Sequence, residues 1–361
     1  MNDARPALAL GAPTGGPLVN RPTARDVAEL AEVSRAAVSF VFTGRAEGNL
    51  SAETQQRIRR AADQLGYRPD EVARSLRRRR SGVIGLLSDE IATSPFAGRL
   101  VLGAMEAARE RGHQVLLLES RRDPAAEAEA VAELRARRVD GIVYAAMSMR
   151  RTAVPLDIDP AHAALANCLP QEAGTYASVV PDERAGGRAA VEVLIGAGHR
   201  RIALLGGGPG DIAASARGRG FGDGMRAAGL AARPQWRLRV GWQIDEGYAA
   251  ALALLDTADR PTGVVCANDR VAAGVLLAAA RLGIAVPEEL SVVGYDDQDQ
   301  MAAHLVPALT TVALPHHAMG AAAVRLLLDA AEAGGEVDTA RALRLPCPVV
   351  ERDSVRPPSS P

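Results

Sequence analysis

Between Thr23 and Phe42 the apolar positions fall at helical spacing, and a tight turn interrupts them once. Val27 and Ala31 lie one helical turn apart on one face. Val38 and Val41 repeat the pattern on a second helix that faces back onto the first. Val33 plugs the turn, and Ala28 is small enough for the helices to cross closely. Ser34 is placed to cap the second helix by accepting from its free N–H groups. The pattern predicts a helix-turn-helix whose outward side carries Arg35, Ala36 and Ser39, residue types that suit a DNA major groove. After a loop with Gly44 and Gly48, a third helix is expected from Ser51 to Leu65. Ser51 caps it, Thr54, Ile58, Ala61 and Leu65 share one face, Gly66 stops it, and Tyr67 closes a small core. Pro69 then opens DEVARSLRRRRSG, a basic stretch with four consecutive Arg near its end.

From Val83 the period changes. Apolar runs of strand length at 83–87, 115–119, 141–146, 164–168, 202–207, 263–268 and 292–297 alternate with Ala-rich helical stretches. Those stretches are 98–111, 125–138, 183–197, 217–228, 246–256 and 270–282. Near-continuous apolar strands separated by helices predict parallel sheets covered on both faces. Seven or more such units fit two doubly wound lobes better than one. The expected fold class is therefore an all-α helix-turn-helix headpiece plus an α/β effector domain of two doubly wound parallel-sheet lobes. Ligands of such sheets sit beyond the carboxyl ends of the strands. Asn167, Asn268, Asp269, Asp296 and Asp297 are expected there, where a cleft between lobes would collect donors and acceptors.

Composition sharpens this division. The 361 residues are 48% apolar but only 3% aromatic, so the core is aliphatic and Ala-rich. Every basic residue is Arg, which fits a GC-rich genome. The net charge of −1 hides an asymmetry: residues 21–80 carry 13 Arg against 8 acidic residues, and residues 81–361 carry 28 against 34. A basic head on an acidic body suits DNA binding, although charge alone also allows a solvated basic patch. Cys168, Cys266 and Cys347 fit no metal or redox spacing and read as buried apolar-like side chains of a reducing cytoplasm. No apolar window is long enough to span a membrane. Residues 1–20 read as a disordered extension rather than a signal peptide.

The order of helix-turn-helix, LSAETQQRIRRAADQLGYRPDEVARSL, VIGLL, CANDRVAAGVL and SVVGYDDQ resembles the LacI/GalR (lactose/galactose-repressor) family of bacterial transcription regulators over about residues 22–350. The resemblance implies a headpiece at 21–68, a hinge helix and linker at 69–81, and an effector-binding and dimerisation domain of periplasmic-binding-protein type at 82–350. A C-terminal tail at 351–361 would follow. It also implies a homodimer on a roughly palindromic double-stranded operator, gated by a small-molecule effector, most often a carbohydrate. Arg35 and Ala36 match the positions that read bases, an Arg fork on guanine being worth about 1–3 kcal/mol of discrimination. Thr23, Ser34, Ser39, Ser51 and Thr54 match phosphate contacts. Helix capping is the plain alternative for these Ser and Thr, and the two roles are compatible at Ser34 and Ser51. Ala73 and Leu76 match the pair that enters the minor groove, with Leu76 as the wedge that kinks the duplex. Phe96, Asn167, Arg217, Trp242, Asn268 and Asp296 match effector positions. Arg217 would hold hydroxyls or a carboxylate, Asp296 would accept from adjacent hydroxyls, and Trp242 would stack on a ring. A surface Arg on a helix is the other reading of Arg217, and Trp236 reads as packing.

Two positions depart from the family pattern. Glu32 stands where a glycine usually makes the turn, so a slightly different turn is expected. Phe40 replaces a residue that is often polar and base-reaching. Other functions are opposed by the sequence. No Walker or GxSxG motif supports an enzyme, GGGPG at 206–210 reads as a strand-end loop, and His316–His317 lacks partners at metal spacing. No cofactor or metal is expected. A solute-binding protein would need a leader and no headpiece. A regulator whose DNA binding is not ligand-gated is opposed by the joint presence of Arg217, Trp242 and Asp296.

Overall fold

The computed structural model describes residues 22–68, 81–91, 98–155 and 157–358. They form two compact units that divide between Arg79 and Arg80.

Among the described residues, the first unit has three helices: α1 (Ala24–Leu30), α2 (Arg35–Phe42) and α3 (Ala52–Leu65). Each starts at a side-chain oxygen that accepts from the free N–H groups of the first turn. Thr23 accepts from Arg25 and Asp26, Ser34 from Ala37, and Ser51 from Thr54. Val27, Val38 and Ile58 are at most 1% exposed and form the centre of the core with Ala28, Ala31 and Val41. Each fully buried Val or Ile contributes about 1.5–3 kcal/mol. Phe42 and Tyr67 meet edge to face at 5.6 Å and close the base of this core.

The turn between α1 and α2 corrects one expectation. Glu32 is not in a modified turn but in the left-handed conformation, at φ 50°. The Val33 N–H donates to the Ala28 carbonyl at 2.9 Å and the Glu32 N–H to that of Glu29 at 3.2 Å. This pair of bonds, with Val33 packed on the core beside Ala28, satisfies the orphan carbonyls of α1 and holds a non-glycine residue in that region.

The second unit begins with a parallel sheet. Its strands are β1 (Val83–Ser88), β2 (Gln114–Glu119), β3 (Gly141–Thr152), β4 (Ala163–Pro170) and β5 (Ala177–Pro181), with α4 (Gly98–Glu110) and α5 (Pro124–Ala136) between them. The chain then crosses into a second lobe: α6 (Glu183–Gly196), β6 (Ile202–Gly206), α7 (Ile212–Ala227), β7 (Arg237–Arg239), α8 (Ile244–Leu255), β8 (Gly263–Cys266), α9 (Asp269–Leu282), β9 (Ser291–Asp296) and β10 (Thr310–Ala313). It returns to the first lobe for α10 (His316–Glu332) and β11 (Ala342–Leu345), then ends in the second with β12 (Val349–Val350). The sheet orders are β11-β5-β4-β3-β1-β2 and β12-β10-β9-β8-β6-β7. Among the described residues every strand pairing is parallel except that of β12 with β10. These are the two expected doubly wound lobes, joined by three crossovers at one end of both sheets.

Several elements differ from the pattern-based reading. Strands β5, β7, β10, β11 and β12 and helix α10 were not among the predicted runs; most of these strands are short and lie at or near sheet edges, where burial is one-sided. Helix α7 starts at Ile212 rather than 217, because Asp211 caps it by accepting from Ala214. Residues 351–358 are not a tail. Ser354 is fully buried, its hydroxyl accepts from the Thr310 N–H at 2.8 Å and donates to the Val292 carbonyl at 2.6 Å, and Arg352 pairs with Asp297.

Candidate functional site

In the first unit, Arg35 and Ala36 are exposed on the first turn of α2. Ser34 and Ser51 are exposed cap residues. Thr54 is half-buried, with its hydroxyl 2.9 Å from that of Ser51. Thr23 donates its N–H to Asp26 at 2.6 Å, and this bond holds the Asp26 carboxyl below its usual range. Ser39 is half-buried, and its carbonyl accepts from the Thr43 hydroxyl at 2.6 Å. Phe40 is half-buried on the same helix. Ala73, Leu76 and Phe96 lie outside the described residues.

In the second unit, the predicted residues Arg217, Trp242, Asn268 and Asp296 converge at the carboxyl ends of β6, β8 and β9. Arg217 is not a surface residue: it is 7% exposed. Its Nε and Nη2 donate to the two carboxylate oxygens of Glu183 at 2.7 and 2.9 Å. Its Nη1 donates to the Ala267 carbonyl at 2.5 Å and lies 3.4 Å from Asp296 Oδ1. The guanidinium stacks 3.6 Å from the centre of the Tyr295 ring and 5.7 Å from that of Trp242. Burial alone would lower the Arg217 pKa, but the charges of Glu183 and Asp296 raise it on balance, so it stays a cation. The pairing is permitted by close helix crossing: a Cβ on Gly187 would fall 2.3 Å from the Arg217 carbonyl oxygen, and one on Gly220 would fall 2.0 Å from that of Arg184.

Asp296 ends β9 at φ 100°. Its second oxygen accepts from Gln298 Nε2 at 3.1 Å. Burial pushes its carboxyl up to about 6 against the opposing pull of Arg217. Asp269 beside it is fully buried and accepts from the Thr311 hydroxyl at 2.6 Å and the Gln298 N–H at 2.7 Å; burial pushes it up to about 7. An Asp acceptor next to an Arg donor complements a pair of adjacent hydroxyls.

Asn268 is not on a strand but caps α9, accepting from the Val271 N–H at 2.8 Å. Its amide donates to the Trp242 carbonyl at 3.1 Å and so fixes the segment that carries the indole. Trp242 lies against Gly207, where a Cβ would fall 2.4 Å from the ring. Asn167 is not at a strand end either. It sits inside β4 at φ 57°, opposite an irregularity in β3 between Ala145 and Arg150. Its amide donates to the carbonyls of Ala146 and Met147 at 3.0 and 3.1 Å, which that irregularity frees from the ladder. The nearby Asp89 carboxylate, 1% exposed, accepts from the Met147 N–H and from Arg150. The lobes touch through Met149, Val180 and Ala213 and through the Arg99–Asp299 ion pair.

Glu183, Tyr295 and Gln298 were not among the predicted site residues, and Asp269 was expected only as a polar strand end. Tyr295 and Asp269 are inside quoted motifs, but Glu183 is 34 residues from its partner and carries no local signal. Trp236 is buried packing with Arg233 stacked 4.3 Å over it, and the three cysteines are buried and unpaired. His317 pairs with Glu106 at 2.8 Å. Among the described residues, no group of three or more His, Cys, Asp or Glu is arranged to hold a metal, and no helix is long and apolar enough to cross a membrane.

Residues 23–70 match the family model for bacterial regulatory proteins of the lacI family, and residues 191–355 match the periplasmic binding protein-like domain. The chain is 34% identical over 319 residues to the HTH-type transcriptional regulator CelR of Thermobifida fusca, spanning 86% of this chain and 92% of that protein. The chain belongs to the LacI family. Among solved LacI-family structures, a CelR–cellobiose complex is 30% identical with a TM-score of 0.64, over 92% of this chain and all of that one. The lac repressor dimer bound to operator and the anti-inducer ONPF is 27% identical with a TM-score of 0.74, over 93% of this chain and all of that one.

Proposed function

We propose that this protein is a sequence-specific DNA-binding transcriptional repressor, gated by a small polar effector, a sugar, held between the two lobes. One observation carries the reading: a capped helix with Arg35 and Ala36 exposed shares a chain with a buried Arg217–Asp296 pair beside Trp242. Arg35 and Ala36 read bases. Thr23, Ser34, Ser39, Ser51 and Thr54 set register on phosphates, and Ala73 and Leu76 enter the minor groove. Phe96, Arg217, Trp242 and Asp296 contact the effector, while Asn167 and Asn268 shape its site through the backbones they hold. The CelR complex with cellobiose supports a carbohydrate effector.

The working form is a homodimer on a roughly palindromic operator, in the cytoplasm, with no enzymatic activity. The lac repressor dimer on its operator supports this assembly. So do Leu102 and Met105 on α4 and Leu277 on α9, large apolar side chains about half exposed. The effector acts only through a difference in affinity between two arrangements of the lobes. The test combines operator mapping with a titration of mono- and disaccharides. Asp296→Ala is expected to keep operator binding and lose the sugar response. A variant that responds normally would place the effector elsewhere. Leu76→Ala is expected to weaken operator binding and spare nonspecific binding; equal loss of both would remove its wedge role.

A further inference from the structure

We propose that the second lobe holds an accessory site for a small organic phosphate in a groove between α7 and the edge strand β7, outside the cleft between the lobes. The groove has a volume of about 550 Å³, within the range of small-ligand sites. Three arginines line it, Arg219 from α7 and Arg237 and Arg239 from β7, and no carboxylate does. Among the described residues none of the three forms an ion pair, whereas Arg184, Arg188, Arg226 and Arg233 of the same lobe all do.

The strand pattern explains how they come together. Side chains alternate along a strand. Leu238 packs into the core on one side of β7, so Arg237 and Arg239 share the other side. That side faces α7, where a packed sheet would place apolar residues. Gly218 offers no side chain to fill the space, and its carbonyl accepts from Arg237 at 3.2 Å. Ser215 adds a hydroxyl donor on the same helix. Asp211 already caps α7, so guanidinium forks, not the helix end, supply the positive charge. Planar forks suit phosphate oxygens through paired charge-assisted hydrogen bonds. The loop Gly206–Gly208 also lines the groove, with Gly206 paired beside Arg239, and Gly207 in that loop backs the Trp242 ring. Helix α7 thus carries buried Arg217 toward the cleft and exposed Arg219 in the groove.

The protein has two tryptophans: Trp242 lies against the lining residue Gly207, and Trp236 lies in the chain between the lining residues Pro234 and Arg237, so their emission reports occupancy. The experiment titrates the full-length protein with ribose 5-phosphate, ribose, inorganic phosphate and citrate at physiological salt. The titration is repeated in Arg219→Ala, Arg239→Ala and Asp296→Ala. Ribose 5-phosphate is expected to bind saturably and more tightly than the other three. Each Arg variant is expected to weaken it about tenfold, with an unchanged melting temperature because both side chains are exposed. Asp296→Ala is expected to leave it intact. The absence of saturable binding, or binding unaffected by both Arg variants, overturns the site. Loss in Asp296→Ala moves the phosphate to the cleft and also overturns it. Equal affinity for inorganic phosphate or citrate overturns the assignment to an organic phosphate.

Discussion

The two units present their functional side chains in opposite ways. In the headpiece, Arg35 and Ala36 are exposed, and the core beneath them is complete without them. In the effector unit, Asn167, Arg217 and Asn268 are at most 7% exposed, as is the Asp296 side chain, and all four hold the fold together through bonds already made. The difference teaches how each unit responds to its ligand. The headpiece can meet DNA with a surface that costs the fold nothing. An effector must redistribute interactions that the second unit already uses, and that redistribution is what links binding to a change in the lobes.

The sharpest way to break this contrast is Arg217→Ala. It would leave Glu183, 2% exposed on its side chain, without its bidentate partner. Removing one member of a buried pair costs about 3–5 kcal/mol. The effector unit's urea midpoint is expected to fall accordingly. Combining Arg217→Met with Glu183→Gln and Asp296→Asn should restore most of the loss, because neither carboxylate that faces Arg217 is then left charged without its partner. A single variant as stable as the parent would show that the site is separable from the fold after all.

Asp296 tests the same contrast through pH. Its carboxyl is raised by burial to about 6 in the folded protein, against about 3.9 unfolded. The folded state therefore binds the proton more tightly. The contribution to stability is full below about pH 4 and is lost as pH rises through 6, by about 3 kcal/mol. Asp296→Asn removes this dependence, so the variant should gain on the parent between pH 4 and 7 in unfolding experiments without effector. Asp269, raised to about 7, adds a slope of the same sign in both proteins. His316 runs the other way: burial lowers it to about 4, so its contribution is lost as pH falls from about 6.5 toward 4. Parallel curves for Asp296→Asn and the parent would remove Asp296 from the coupled groups.

Arg35→Ala is the matching probe of the headpiece. Stability is expected to stay within about 0.5 kcal/mol. Base discrimination at one position per half-site should drop by about 1–3 kcal/mol, read by selecting binding sites from a randomised pool. A destabilised variant with an unchanged site preference would reverse the comparison.

This same division decides what the sequence revealed. The headpiece is built from local signals. Thr23, Ser34 and Ser51 sit within three residues of the N–H groups they cap, and the helical spacing of Val27, Ala31, Val38 and Val41 is itself the core. The long apolar strands were legible for the same reason. Short strands such as β7, three residues with an arginine at each end, have no pattern to read. In the cleft, motifs pointed to Arg217 and Asp296 but not to their partners. Glu183 reaches Arg217 because glycines let α6 and α7 cross closely, a fact of three-dimensional packing. Asn167 and Asn268 are polar residues near a ligand cleft, yet their amides are engaged by the backbone. Only the structure separates that role from a contact.

The smallest expected effect tests how far local signals rule the headpiece. Helices α1 and α3 end in the same turn with different residues. After α3, Gly66 is left-handed at φ 65°, the Tyr67 N–H donates to Ala62 at 2.8 Å and the Gly66 N–H to Asp63 at 3.2 Å. After α1, Glu32 takes that place with the same two bonds at 2.9 and 3.2 Å. The left-handed region costs a residue with a Cβ about 1 kcal/mol relative to glycine, less the entropy that glycine loses on folding. Glu32→Gly should therefore stabilise the headpiece by about 0.5–1 kcal/mol, and Gly66→Glu should destabilise it by a similar amount. Thermal unfolding of the headpiece checks both. Both positions are exposed, and a Cβ on Gly66 would meet nothing within 4 Å, so neither change disturbs packing, and equal and opposite shifts would isolate the backbone term. If Glu32→Gly gives no gain, Glu32 makes a compensating interaction in the turn, and the departure from glycine there is selected rather than tolerated.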